Sequence, residues 1–293
     1  MVAPSAAPEI FPTQAPAPGW LTGKPGVGTI TWTGCAGFLF DVEGTRICVD
    51  PFVSNPGFVD AFFRPARPNA ALVRQKFPDV AAAFIGHSHW DHAMDVAVLA
   101  AAGTVVHGST TTAELCRRQG VSDARLVQVG DGDRISVGPF TVEVIESRHG
   151  IVPLASKIDV IELRGQGMPS TPFRWPRGAV FAYRVEFGGQ SVHVQTSAGI
   201  ADGPLARQAP ADVLIACLAA RQGTPHYLQR LGEQLRPKVL IACHHDNFLH
   251  PVDQRPRPVP RLDWPEFLES AAELRQKYGT RLVQLPRGVA VDF

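Results

Sequence analysis

The stretch "FIGHSHWDHAMD", residues 84–95, places His87, His89 and His92 within six residues, with Asp91 between the last two. An apolar run, "VAAAFIG", precedes the cluster and reads as a buried strand; a helical pattern follows it. In an extended segment residues i and i+2 point the same way, so His87 and His89 can grip one ion. Asp91 and His92 lie where the chain turns into the helix and can point at a neighbouring position. Imidazole suits zinc and other first-row metals, and carboxylate suits them in a mixed N/O site. A lone Asp here would read as a helix N-cap, and a lone His as a surface or core residue. The full H-x-H-x-D-H string after a strand favours ligation. The chemistry this allows is attack by a metal-activated water, where a coordination position stays open. A divalent ion held by three His lowers the pKa of its bound water toward about 7. Asp91 is a carboxylate able to orient or deprotonate that water.

The flanking elements that must position these groups read as follows. "TITWTG", "GFLFDV" and "TRICVDPF" are β-branched and aromatic runs between Gly-rich turns, an opening antiparallel meander. "AMDVAVLAAAG" has helical periodicity with Gly103 at its end, and "STTTAELCRRQG" reads as a helix capped by Ser109 or Thr110 and stopped by Gly120. "FTVEVIES" is a strand ending just before His149. Residues 151–178, including "GQGMPSTPFRWPRG", form a Gly- and Pro-rich insertion, a lid or a surface connection. "AVFAYRVEF", "SVHVQT", "ADVLIAC" and "PKVLIAC" are further strands, and "DWPEFLESAAELRQKYG" is a helix ending at Gly279. "RLVQL" and "GVAVDF" close the chain. β-runs alternating with helices only later in each half suggest two sheets with helices outside.

The bulk composition excludes other classes. The chain has 293 residues, 45% hydrophobic and 19% charged, with a net charge of +1. That balance gives no electrostatic reason to expect nucleic acid or an anionic membrane. Five Cys without a CxxC argue against a disulfide framework and fit a reducing compartment. Residues 1–27 begin as an Ala/Pro-rich arm lacking signal-peptide features, disordered or lying along the surface. No apolar run reaches the roughly 18 to 20 residues of a spanning helix. A cytoplasmic protein acting on a small molecule is expected, with residues 28–293 as one domain.

The H-x-H-x-D-H string, an earlier strand ending at Asp50 in "CVDPF", the later lone His149 and a terminal His in "CHHDNF" together resemble the metallo-β-lactamase-fold superfamily of metal-dependent hydrolases. The look is of the branch with ascorbate-phosphate lactonase-like and N-acyl-phosphatidylethanolamine phospholipase D-like proteins. The resemblance implies an α/β fold, an αββα sandwich of two mixed sheets with helices on the outer faces. It implies one metal site at His87, His89 and His149, and a second at Asp91, His92 and His244, with His245 as the rival to His244. The implied reaction is hydrolysis of an ester, lactone or phosphodiester with zinc, manganese or iron. An iron-dependent oxidoreductase on the same scaffold, or a metal-binding protein without turnover, are the alternatives.

Two positions depart from that branch. Cys35 in "TGCAGF" stands where His is usual, either as a small buried residue or as a reactive thiol near the cleft. Ser197 in "TSAG" stands where a bridging Asp is usual. A hydroxyl brings no charge to offset two divalent ions, so unequal sites are expected, tight at the three His and weak at the other. Asp50 is expected to brace a turn or a ligand. Phe173, Trp175 and Phe181 are candidates to line an apolar pocket or to pack, and Arg148 to meet an anionic substrate or to be a solvated loop residue.

Overall fold

Short apolar strands dominate the chain, and they assemble into two seven-stranded mixed sheets. The computed structural model describes residues 9–21, 26–65, 67–151, 163 and 167–293. The opening meander is β1 (Thr29–Gly34), β2 (Gly37–Val42) and β3 (Thr45–Val49), antiparallel as expected. Parallel strands β4 (Ala82–Phe84), β5 (Val105–Gly108) and β6 (Leu126–Gln128) extend it. The second sheet runs β7 (Arg134–Val137), β8 (Phe140–Glu146), β9 (Phe181–Phe187), β10 (Gln190–Gln195), β11 (Val213–Cys217), β12 (Val239–Cys243) and β13 (Arg281–Leu282), antiparallel to β10 and parallel beyond it. The terminal strand β14 (Ala290–Asp292) returns to the first sheet beside β1.

The sheets bury a shared core. Phe38, Phe40 and Phe84 of the first cluster with Val142, Tyr183, Val185 and Val194 of the second, all essentially inaccessible. Burial of each such side chain is worth about 1.5–3 kcal/mol. Helices cover the outer faces. Against the first sheet lie α2 (Ala70–Lys76), α3 (Trp90–Ala93), α4 (Val96–Ala101) and α5 (Thr110–Arg118), while α1 (Phe58–Phe63) meets the 151–178 insertion, Phe62 stacking on Phe173 at 4.3 Å. On the second lie α6 (Asp202–Ala206), α7 (Tyr227–Leu235) and α8 (Trp264–Tyr278). Leu231 and Leu235 of α7 pack with Phe267 and Leu274 of α8 in the main core. This is the αββα sandwich expected from the sequence.

Local chemistry sets the helix ends. Ser109 caps α5, its Oγ accepting from Thr112 N at 3.1 Å, and Gly120 follows at φ 84°. Asp263 caps α8, Pro265 sits in its first turn, and Gly279 ends it at φ 74°. One helix expected to be continuous is not. The segment after the His cluster divides into α3 and α4 at Met94–Asp95. There the Asp95 carboxylate accepts from Val53 N, Ser54 N and Ser54 Oγ at 2.7, 3.0 and 2.5 Å, tying the helix pair to the loop after β3. The closing "RLVQL" pairs over only two residues, at the sheet edge.

Residues 9–21 of the arm lie along the body. Phe11 stacks on His245 at 5.1 Å, and Trp20 meets Phe293 at 6.3 Å. In the 151–178 insertion, residues 152–162 and 164–166 lie outside the described residues. Its later part, from 167 on, comes back to the His cluster, where Arg177 O accepts from Ser88 N at 2.7 Å.

Candidate metal centre

The cluster begins where β4 ends. Gly86 is demanded by close approach, because a Cβ there would sit 2.3 Å from Thr196 Oγ1 and 2.8 Å from Asp50 Oδ2. Its N–H donates to Asp50 Oδ1 at 2.6 Å, and its carbonyl accepts from Phe181 N at 2.7 Å. Tyr183 Oη donates to Ile85 O at 2.7 Å. The segment entering the site is therefore clamped to the opposite sheet before the first histidine. His89 then takes the N-cap position of α3 with extended backbone, so that Asp91 and His92 leave from the first helical turn.

His87 Nε2 and His89 Nδ1 face each other across 3.1 Å. His149, carried in just beyond β8, completes the group, its ring centroid 4.9 Å from that of His87 and 4.7 Å from that of His89. One nitrogen from each lies within 4.8 Å of the others. Beside them, Asp91 Oδ2 lies 3.2 Å from His244 Nε2 and 3.8 Å from His92 Nε2. His244 follows β12 directly, while adjacent His245 turns away and stacks on Trp32 at 4.7 Å. His92 gives its Nδ1 to Asp50 Oδ2 at 2.7 Å. All six residues named from the sequence thus surround one place in the fold.

The protonation states of His87, His89 and Asp91 suit metal binding, because a ligand must offer a lone pair, whereas an ion at His92 would have to displace a proton. Burial, reinforced by neighbouring imidazoles, pushes His87 well below its ordinary pKa and His89 down to about 3. Burial would raise Asp91, but His92 and His244 overcome it and hold the carboxyl below its usual range, so it stays charged. Burial would lower His92, yet Asp50 and Asp91 hold it above the ordinary value. The buried nitrogens His87 Nδ1 and His244 Nδ1 have no hydrogen-bond partner. Imidazoles and a charged carboxylate converging in this way form a donor set that fits a first-row divalent ion.

The centre opens into a cleft whose other walls are apolar. Trp90, Phe173, Trp175 and Phe248 line it, with Ser197 and Cys217 on its inner side. Trp90 meets Phe173 edge-on at 5.7 Å and Phe248 at 5.4 Å. Phe181 is not among the lining residues: it is 4% exposed and belongs to the main core, bordering a neighbouring cavity instead. Arg148 is exposed and lines that same neighbouring cavity. Ser197 accepts from Gly150 N at 3.2 Å. Among the described residues, a second convergent group is Cys35, Asp91 and His244, again within 4.8 Å of one another. The sequence offered Cys35 as a small buried residue or a reactive thiol near the cleft, not as a donor beside Asp91.

The chain belongs to the family described as the beta-lactamase superfamily domain, whose sequence profile matches residues 45–244. A protein of Chelativorans sp. (strain BNC1) named as a metal-dependent hydrolase is 26% identical over 122 residues, 41% of this chain and 47% of that one. The chain thus spans about half the length of the curated relatives it matches. Igni18, a metallo hydrolase of the archaeon Ignicoccus hospitalis, superposes with a TM-score of 0.56 at 14% identity, over 91% of this chain and 98% of its own. CmlA, a diiron β-hydroxylase of Streptomyces venezuelae, does so with a TM-score of 0.59 at 15% identity, over 92% of this chain and 55% of its own. At these identities the structural likeness is one of fold.

Proposed function

We propose that this protein is a metal-dependent hydrolase that cuts an ester, lactone or phosphodiester in a small molecule, with zinc as its metal. The observation that carries this is the grouping of His87, His89 and His149 nitrogens within 4.8 Å of one another, beside an apolar cleft that His89 and His149 line. The metal-dependent hydrolases among its relatives support the same reading. An ion at the three histidines would supply an acidified water and a positive charge for the attacked group.

The chain's own residues do the rest. Trp90, Phe173, Trp175 and Phe248 take up the apolar part of the substrate and keep bulk water from the reacting bond. Asp91 is the catalytic carboxylate: held charged, it orients the nucleophile by accepting a hydrogen bond from it. His92 and His244 flank Asp91 and would hold a second ion with it. Asp50 fixes the ring of His92.

Elemental analysis of the purified protein, followed by a panel of lactones, carboxylic esters and phosphodiesters, tests the reading. Zinc with turnover of one of these classes supports it. Iron with oxygen-dependent turnover would point instead to an oxidoreductase on this scaffold, and bound metal with no turnover to a binding protein. Among the described residues no helix is long and apolar enough to cross a membrane.

A further inference from the structure

The turn between β1 and β2 brings a thiol to the second group of donors. Cys35 is 1% exposed, and its Sγ lies within 4.8 Å of a carboxylate oxygen of Asp91 and a ring nitrogen of His244. Its backbone is tied to the segment that carries His244. Cys35 O accepts from His244 N at 2.7 Å and from Trp32 Nε1 at 3.0 Å, and Cys35 N donates to Asp246 Oδ1 at 2.9 Å. Asp246 is itself buried and paired with Arg287 Nη1 at 3.2 Å.

Both partners of that contact hold an unusual backbone. Cys35 has φ 47° and His244 has φ 53°, the left-handed region that residues with a Cβ disfavour. A cysteine kept there needs over-determining contacts, and such positions concentrate at sites that use the side chain. A buried cysteine is often only a small apolar residue. Here it borders the apolar cluster behind the first sheet and also faces a charged carboxylate and an imidazole.

Charge supplies the reason. The neutral Ser197 hydroxyl offers nothing to offset a second divalent ion, whereas a thiolate together with Asp91 offers two negative donors. We infer that Cys35 is a thiolate ligand of the second metal site, completing Asp91, His92 and His244 and supplying the charge that Ser197 lacks. The thiol proton passes to solvent as the sulfur–metal bond forms. Sulfur also sets preference, so this site takes zinc, cobalt or cadmium ahead of manganese or magnesium. This rests on the metal-centre reading above.

The test is a titration of chelator-treated full-length protein with Co²⁺, followed by absorbance and by equilibrium dialysis. The expected result is uptake of two equivalents, with a near-ultraviolet sulfur-to-cobalt charge-transfer band that grows with the second. Cys35→Ser should lose that band and weaken the second uptake by more than about a hundredfold, beyond what loss of a supporting contact costs. The first equivalent should bind as before, which also reports that the variant is folded. Cys217→Ala, which removes a thiol that lines the cleft, should keep the band. Two equivalents bound by the wild type without a charge-transfer band would overturn the role of Cys35 alone. So would a band that survives Cys35→Ser and disappears in Cys217→Ala. No cobalt binding at all would overturn both this inference and the metal-centre reading.

Discussion

His92 Nδ1 and Asp50 Oδ2 meet at 2.7 Å with both side chains sealed from solvent. The other Asp50 oxygen holds Gly86 N, so one carboxylate locks both the strand that leads to His87 and the ring of His92. It leaves His92 Nε2 facing Asp91. Asp50 itself sits at φ 44°, a third left-handed residue beside the site.

Removing that lock should loosen the second site. Asp50→Asn is expected to weaken the second metal equivalent by about ten- to hundredfold while leaving the first within a few-fold. Calorimetric zinc titration of the variant checks it. An unchanged second affinity would show that His92 is oriented by other means.

The two adjacent histidines after β12 should separate cleanly. His244→Ala is expected to cost second-site metal and any hydrolysis. His245→Ala should leave metal content intact and lower stability by about 1–3 kcal/mol, because it removes a buried ring stacked between Phe11 and Trp32. Metal analysis beside urea denaturation distinguishes them, and the reverse pattern would shift the candidate ligand by one residue.

Ser197→Asp places a carboxylate at the inner side of the cleft. It should tighten the second ion, since a shared negative donor offsets repulsion between two cations. Competition with a chelator measures it. No gain would mean that the position does not face both ions.

Acid should destabilise the metal-free protein through its buried histidines, those of the centre and two that are not candidate ligands. Burial holds His107 and His193 at about 4, below the unfolded value of 6.5. Between those values the unfolded chain binds protons that the folded chain refuses, so stability falls as pH drops through 6.5 toward 4 and is fully present above. Each group contributes at most roughly 3 kcal/mol over that window. Melting of the chelated protein from pH 7 to pH 5 should show the loss. His193→Gln should flatten it, and an unchanged slope would assign the effect elsewhere.

What the sequence made legible was what is local. His87, His89, Asp91 and His92 are contiguous, and the strand-to-helix transition around them is written in the apolar run before and the helical period after. The two sheets followed from β-branched runs and their turns. The place of Cys35 beside Asp91 and His244 was not legible, because it depends on backbone bonds from Cys35 to residues more than two hundred positions away. Phe181 was a pocket candidate by its neighbourhood in the chain, but alternation along β9 turns it into the core. The break between α3 and α4 depends on Asp95 reaching the loop after β3, a contact that helical periodicity does not encode.

The most direct test strips the protein with a chelator and restores zinc stepwise, recording bound zinc and hydrolysis together for wild type, His87→Ala and His89→Ala. The account predicts that wild-type hydrolysis returns in proportion to the first equivalent bound, and that neither variant holds that zinc or turns over substrate. Retention of both metal and rate in either variant would contradict it.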